Sequence, residues 1–273
     1  MKNCNTLIII MFTLLFGCKE ASKQSNTTSV LEKNRDEKEN KYGKDAFRRF
    51  TYFLNSNNPR TEQFLKSIDW GTIDRKAINF GIYRANCYKK GNGYFFIFDA
   101  EPTLNSEELL NGFQQIDTVK YLMESMETLG VKFPAGNNAL ERIYKLDQKV
   151  IYTPFIGQLK TDIGSHKRFV WTLLLKEDPK LISEYRKAHS MGQAWPQITE
   201  NMKAMGVKDM EIYLSGTQAI LIMDTEPNFD MEVAGPKWQK LPKEREWQEY
   251  VAKFQRIQPG SSIQEKWQDM QVL

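Results

Sequence analysis

Few side chains in this 273-residue sequence are suited to acid–base or covalent chemistry. There are two histidines, His166 and His189, and three cysteines, Cys4, Cys18 and Cys87. Three cysteines are too few for a disulfide framework or a four-ligand zinc site, and two histidines add little for metals. An imidazole can give and take a proton near neutrality, its ordinary pKa being about 6.5. His166 sits in a polar stretch beside Lys167 and Arg168 and reads as solvated. His189 stands four residues past Tyr185, the spacing of one helix face. By default a helical histidine is a satisfied or exposed polar group, and Tyr185, Trp195 and Trp247 at helical spacing are core residues.

The elements around His189 are legible. Phe169 to Leu175 is an apolar, β-prone run, a buried strand. Asp178-Pro179 can open a helix, with proline early, where its missing N–H costs nothing. That helix carries Leu181, Ile182, Tyr185 and His189, and Gly192 interrupts it. A second helix opens at Pro196, shows Ile198, Met202 and Met205 on one face, and ends at Gly206. Glu211 to Leu214, Ser215-Gly216 and Ala219 to Met223 read as a hairpin. Two helical stretches follow Pro227, the second with Trp247, Tyr250, Val251 and Phe254 at i, i+3, i+4 and i+7. Trp267 to Leu273 reads as a closing strand.

The same plan occurs twice. Trp70/Trp195, Ile73/Ile198, Gly81/Gly206, Tyr88/Tyr213, Gly91/Gly216, Asp99/Asp224 and Pro102/Pro227 pair at a constant offset of 125. Arg49-Phe50 pairs with Arg168-Phe169 at an offset of 119, so the first copy lacks six residues near Phe64 to Asp69. The first copy reads as a strand at Phe50 to Leu54, a hairpin around Gly91, and Leu140 to Leu146 at the end. The order β-α-β-β-α-β is the ferredoxin-like arrangement, an α+β fold with helices on one sheet face. The other face needs cover, and Trp171, Leu173, Phe95 and Phe96 make the strands richly apolar. Two tandem ferredoxin-like copies packed sheet to sheet, an intramolecular pseudo-dimer of the dimeric α+β barrel type, are therefore expected.

The N-terminus lies outside that fold. Lys2 followed by the apolar Leu7 to Phe16 fits a secretory signal, too short for a membrane span of about 20 residues. Gly17-Cys18 resembles a lipobox, so Cys18 is the expected site of lipidation, with a signal over 1–17. Residues 18–45 are polar and charged and read as a flexible tether. The degenerate copy then spans 46–148, a linker 149–166, and the second copy 167–273. This organisation predicts a protein anchored by lipid in a Gram-negative envelope, facing the periplasm or the surface. A net charge of +4, from 38 basic and 34 acidic residues, gives no support to nucleic-acid binding. Cys87 pairs with Ile212 in the repeat, a strand position, and reads as buried and apolar.

Glu184-Tyr185-x-x-x-His189, Trp195-Pro196, Gly206 before Glu211-Ile212-Tyr213, and Arg245-x-Trp247 follow one another in an order and spacing that resembles the L-rhamnose mutarotase family over about Lys167 to Leu273. That resemblance implies His189 as general acid/base and Tyr185 and Trp247 as sugar contacts. Met210 stands where the rhamnose proteins have a hairpin tyrosine, and Glu246 at the first of two tryptophan positions. Both departures look more like the branch associated with L-fucose, in which a Met-Glu-Ile-Tyr strand such as 210–213 is common. Met210 and Glu211 are accordingly expected beside the substrate. The first copy has Phe64 near the tyrosine position and Ile68 near that of the histidine, and reads as catalytically dead.

The implied activity interconverts the anomers of a 6-deoxyhexose of the L-fucose or L-rhamnose type. It needs one proton delivered to the ring oxygen and one removed from the anomeric hydroxyl, without metal or organic cofactor. Glu211 or Glu184 is the expected second proton-transfer partner, although strand alternation could aim Glu211 either way. A non-catalytic sugar-binding or structural lipoprotein, or cofactor-free oxygenation on the same fold, are the competing readings.

Overall fold

A computed structural model of the chain describes residues 41–256 and 266–273. The signal segment, Cys18 and the tether up to residue 40 lie outside the described residues. Asp45–Leu273 form one unit by their mutual contacts.

The first half runs β1 (Ala46–Asn55), α1 (Pro59–Lys66), α2 (Trp70–Ala77), β2 (Ile82–Lys90), β3 (Gly93–Ala100), α3 (Ser106–Gln114), α4 (Asp117–Thr128) and β4 (Glu141–Lys145). β5 (Gln158–Thr161) follows. The second half runs β6 (Lys167–Leu174), α5 (Pro179–His189), α6 (Pro196–Ala204), β7 (Val207–Ser215), β8 (Gln218–Thr225), α7 (Met231–Trp238), α8 (Glu244–Ala252), β9 (Gln268–Asp269) and β10 (Gln271–Val272). Both hairpins turn on two residues, and Gly91 and Gly216 take the left-handed φ values of 55° and 58° that such a turn favours. The N-cap Asp178 accepts from the backbone N–H groups of Lys180 and Leu181, with Pro179 next in line, which starts α5 where the sequence pattern puts it.

Two antiparallel five-stranded sheets result, in the orders β10-β2-β3-β1-β5 and β4-β7-β8-β6-β9. The closing strands correct the sequence reading. β4 does not return to its own sheet but pairs with β7 in the second. The C-terminal strand splits, β9 pairing with β6 and β10 crossing to β2 of the first sheet. β2 and β7 stand at corresponding edges of the two sheets, and each is covered by a strand from the other half. An uncovered edge exposes a row of unpaired N–H and C=O groups, and any strand of matching direction can satisfy it. The linker reading of 149–166 is corrected likewise, because β5 pairs with β1 at the edge of the first sheet.

Each sheet buries one face under its own helices. Phe95 and Ile97 from the first sheet and Val170, Tyr213, Ile220 and Ile222 from the second form a third cluster, with Phe95 and Tyr213 ring centroids 6.2 Å apart. Of the four large residues expected between the sheets only Phe95 lies there. Phe96, Trp171 and Leu173 point to the helices, as strand alternation requires. At one end the seam is ionic: Arg49 Nη1 reaches Glu211 Oε2 of the opposite sheet at 3.0 Å, and Lys160 Nζ lies 2.6 Å from the same carboxylate.

Candidate functional site

Between the second sheet and its helices lies a cavity of about 120 Å³. Five of the six tryptophans in the chain line it: Trp171 from β6, Trp195 before α6, Trp238 at the end of α7, Trp247 in α8 and Trp267 before β9. Methionines 202, 210, 223 and 231 complete much of the apolar wall. Trp195, which spacing alone assigns to the core, stacks on Tyr250 at 5.8 Å and meets Trp247 at 5.4 Å.

His189 closes α5 as its last residue and is 6% exposed. Its Nδ1 lies 2.8 Å from the carbonyl oxygen of Tyr185. A carbonyl can only accept, so Nδ1 carries the proton and Nε2 presents a lone pair. Among the described residues no hydrogen bond reaches that Nε2. The imidazole is packed by Tyr185 at 4.2 Å, Trp247 at 5.5 Å and Tyr144 at 6.2 Å between ring centroids. Burial among these rings pushes its pKa down to about 4, against a smaller opposing effect of the Tyr185 carbonyl. At neutral pH it is an uncharged base in a fixed tautomer.

The structure brings His189, Tyr185, Trp247 and Met210 to one cavity, and leaves Glu211 and Glu184 outside it. Met210 and Glu211 are neighbours on β7, so their side chains take opposite faces, and the face that lines the cavity is that of Met210. Glu211 is 1% exposed between the sheets and accepts from Tyr213 Oη at 3.2 Å as well as from Arg49. Burial alone would raise its pKa, but Lys160, Arg49 and Arg142 outweigh that and hold it well below the usual carboxylate range. It is a buried, ion-paired anion between the sheets, outside the cavity. Glu184 is exposed and pairs with Lys253 at 3.1 Å. His166 is half-buried at the seam, not free in solvent: its Nδ1 meets the Gly164 carbonyl at 2.7 Å and its Nε2 lies 3.8 Å from Asp224.

Two cavity residues escape a reading by motif. Tyr144 comes from β4, the strand contributed by the first half, and its hydroxyl lies 3.7 Å from Met202 Sδ. Burial raises its pKa to about 12, so it stays a neutral phenol. No local pattern could reveal it, because its place depends on the crossing of β4. Glu244 is the first residue of α8 and only 3% exposed. Its position three residues before Trp247, on one helix face, was the available signal.

The sequence model of the L-rhamnose mutarotase family matches residues 168–273, the half that holds this cavity. An L-fucose mutarotase of Xanthomonas campestris is 27% identical over 105 residues, 38% of this chain and 84% of that protein. A UPF0734 protein of Dictyostelium discoideum is 31% identical over 116 residues, 41% of this chain and 91% of that protein. The segment that the family model matches begins in β6 and runs through α5 and the hairpin to the C-terminal strands, and through it the chain belongs to the L-rhamnose mutarotase family.

Proposed function

We propose that the cavity is the active site of a mutarotase that interconverts the anomers of a 6-deoxyhexose of the L-fucose or L-rhamnose type. His189 is the general acid/base, and Tyr185, Trp247 and Met210 contact the substrate. The observation that carries this reading is a neutral imidazole, locked in one tautomer by the Tyr185 carbonyl, on the wall of an aromatic cavity.

The chemistry suits such a wall. A deoxysugar presents one apolar C–H face and a methyl group, which indole rings and thioethers can cover, and a hydroxylated edge that needs a few polar partners. Tyr144, Thr199 and Gln248 are available for that edge. In the forward step Nε2 of His189 takes the anomeric proton while the ring C–O bond breaks, its electron pair staying on the ring oxygen, which takes up a proton. After rotation of the aldehyde the same nitrogen returns a proton to the carbonyl oxygen as the ring recloses. Positioned acid–base groups contribute roughly 10²- to 10⁴-fold.

The test is anomer exchange of L-fucose and L-rhamnose by saturation-transfer NMR. Wild-type protein should accelerate exchange over buffer, and His189→Ala should not. Binding without acceleration for every deoxysugar tried would replace this reading with that of a sugar-binding protein.

The proposal extends to organisation: a duplicated module forming an intramolecular pseudo-dimer, tethered to the envelope membrane by a lipid at Cys18. The repeated Arg–Asp pairs, Arg49–Asp99 and Arg168–Asp224, both at 2.7 Å, support the duplication. Incorporation of labelled palmitate that survives Cys18→Ala would refute the anchor.

A further inference from the structure

Ring opening needs a proton delivered to the ring oxygen as well as one removed from the anomeric hydroxyl, and a neutral His189 starts with an empty Nε2. We infer that Glu244 is the second proton-transfer group of this cavity, the acid that works opposite His189. The inference rests on the mutarotase reading and adds to it a catalytic residue that the family motif does not supply.

Three observations carry it. Glu244 is the only carboxylate lining the cavity among the described residues, and no lysine or arginine lines it, so nothing there favours a fixed carboxylate charge by pairing. The carboxyl group is held by neutral donors on a single oxygen: Asn201 Nδ2 donates to Oε1 at 2.9 Å and Trp238 Nε1 at 3.0 Å. Asn201 is fixed in turn by donating to the Pro242 carbonyl at 2.8 Å and accepting from Gln197 Nε2 at 3.1 Å. The other oxygen, Oε2, has no hydrogen bond among the described residues and is the atom left to hold a proton. Finally, Glu244, Trp247 and Val251 follow at i, i+3 and i+7 on α8, which turns the carboxyl to the same cavity that Trp247 and His189 share. Burial raises the pKa of Glu244, in spite of the two hydrogen bonds that lower it, which favours the protonated form the task requires.

The proton balance closes. His189 Nε2 accepts the proton of the anomeric hydroxyl, whose O–H electron pair becomes the new C=O bond. The ring C–O bond breaks, its pair stays on oxygen, and Glu244 Oε2–H protonates that oxygen. On closure Glu244 carboxylate takes the proton back as the hydroxyl attacks, and imidazolium at His189 protonates the carbonyl oxygen. Both groups end as they began.

The test is Glu244→Gln, which keeps an Oε1 able to accept from Asn201 and Trp238 but has no proton to transfer. We expect exchange of L-fucose or L-rhamnose to fall by about a hundredfold or more, with sugar affinity within about threefold of wild type. The decline of the wild-type rate at high pH should also disappear. Glu244→Asp, which restores an acid, should recover at least about tenfold over Glu244→Gln. Exchange in Glu244→Gln within about threefold of wild type, in a protein whose exchange is lost in His189→Ala, would overturn this inference and leave the mutarotase reading standing. Rate and affinity falling together would also overturn it, by assigning Glu244 to binding. A wild-type protein that accelerates no exchange would overturn both.

Discussion

The floor under the helices is built twice in this molecule, with different side chains. In β2 and β3 the residues that face the helices at mid-strand are Ala85, Cys87, Phe96 and Phe98. At the corresponding places in β7 and β8 stand Met210, Ile212, Leu221 and Met223. The two phenylalanines of the first half are the centre of an aromatic fill. Phe96 meets Phe133 at 4.9 Å and Trp70 at 6.5 Å, and Phe98 meets Phe113 at 4.8 Å. In the second half the thinner, flexible side chains leave the cavity, and its aromatic rings stand around the walls. The ionic seam does not differ in this way, since Arg49–Asp99 and Arg168–Asp224 are both bidentate pairs. One half thus keeps its packing and seam while its hollow is filled with ring carbon, and Ile68 is buried where the histidine position falls. The filled half still serves the open one, because its β4 carries Tyr144 into the cavity wall.

The sharpest way to break this contrast is a paired substitution. His189→Ala should lose roughly 10²- to 10⁴-fold in anomer exchange, whereas Ile68→Ala should keep the exchange rate and lose about 2–4 kcal/mol of stability. Equal losses of activity from both would show that the halves share the chemistry.

Acid should also distinguish them. An unfolded histidine titrates near 6.5, the buried His189 near 4, so below pH 6.5 the unfolded state binds the proton first and stability falls. By pH 4.5 that loss reaches about 2–3 kcal/mol. Glu244, with its raised pKa, works in the opposite sense and gains stability as it protonates. The ion-paired Glu211 and Asp224, with lowered pKa values, lose theirs only below the ordinary carboxylate range. Denaturation midpoints of wild type should therefore fall more steeply than those of His189→Gln between pH 6.5 and 4.5. Parallel curves would mean that His189 takes up protons freely.

Transplanting the fill is the next test. Leu221→Phe with Met223→Phe puts the first half's side chains under the second half's helices. Sugar affinity should fall on the order of ten- to a hundredfold by calorimetric titration, with the melting temperature little changed. Undiminished binding would place the sugar elsewhere. The smallest effect is expected from Tyr144→Phe, about three- to tenfold in exchange or affinity, as one hydroxyl is removed from the polar edge. A null result there would reduce the first half to a cover for the sheet.

Much of this architecture was legible before any tertiary contact. The proline-led starts at Pro179 and Pro196 located two of the helices that line the cavity. The four-residue step from Tyr185 to His189 was enough to put both on one face. Alternation was read correctly as a rule and incompletely as an outcome: it separates Met210 from Glu211 but does not say which of them meets the helices.

The sequence by itself determined most of the elements of the second half and the pairing of residues along each helix, because turn chemistry and the periods of helix and strand act within a few residues. Only the tertiary structure decided that β4 and β10 exchange sheets, that Tyr144 therefore reaches the cavity of the second half, that Glu211 is spent on Arg49 and Lys160, and that Glu244 is the carboxylate left inside. A sheet edge accepts any strand of suitable direction, and a buried charge keeps whichever partner folding brings to it. Both choices are made between residues more than fifty positions apart, where no local period reaches.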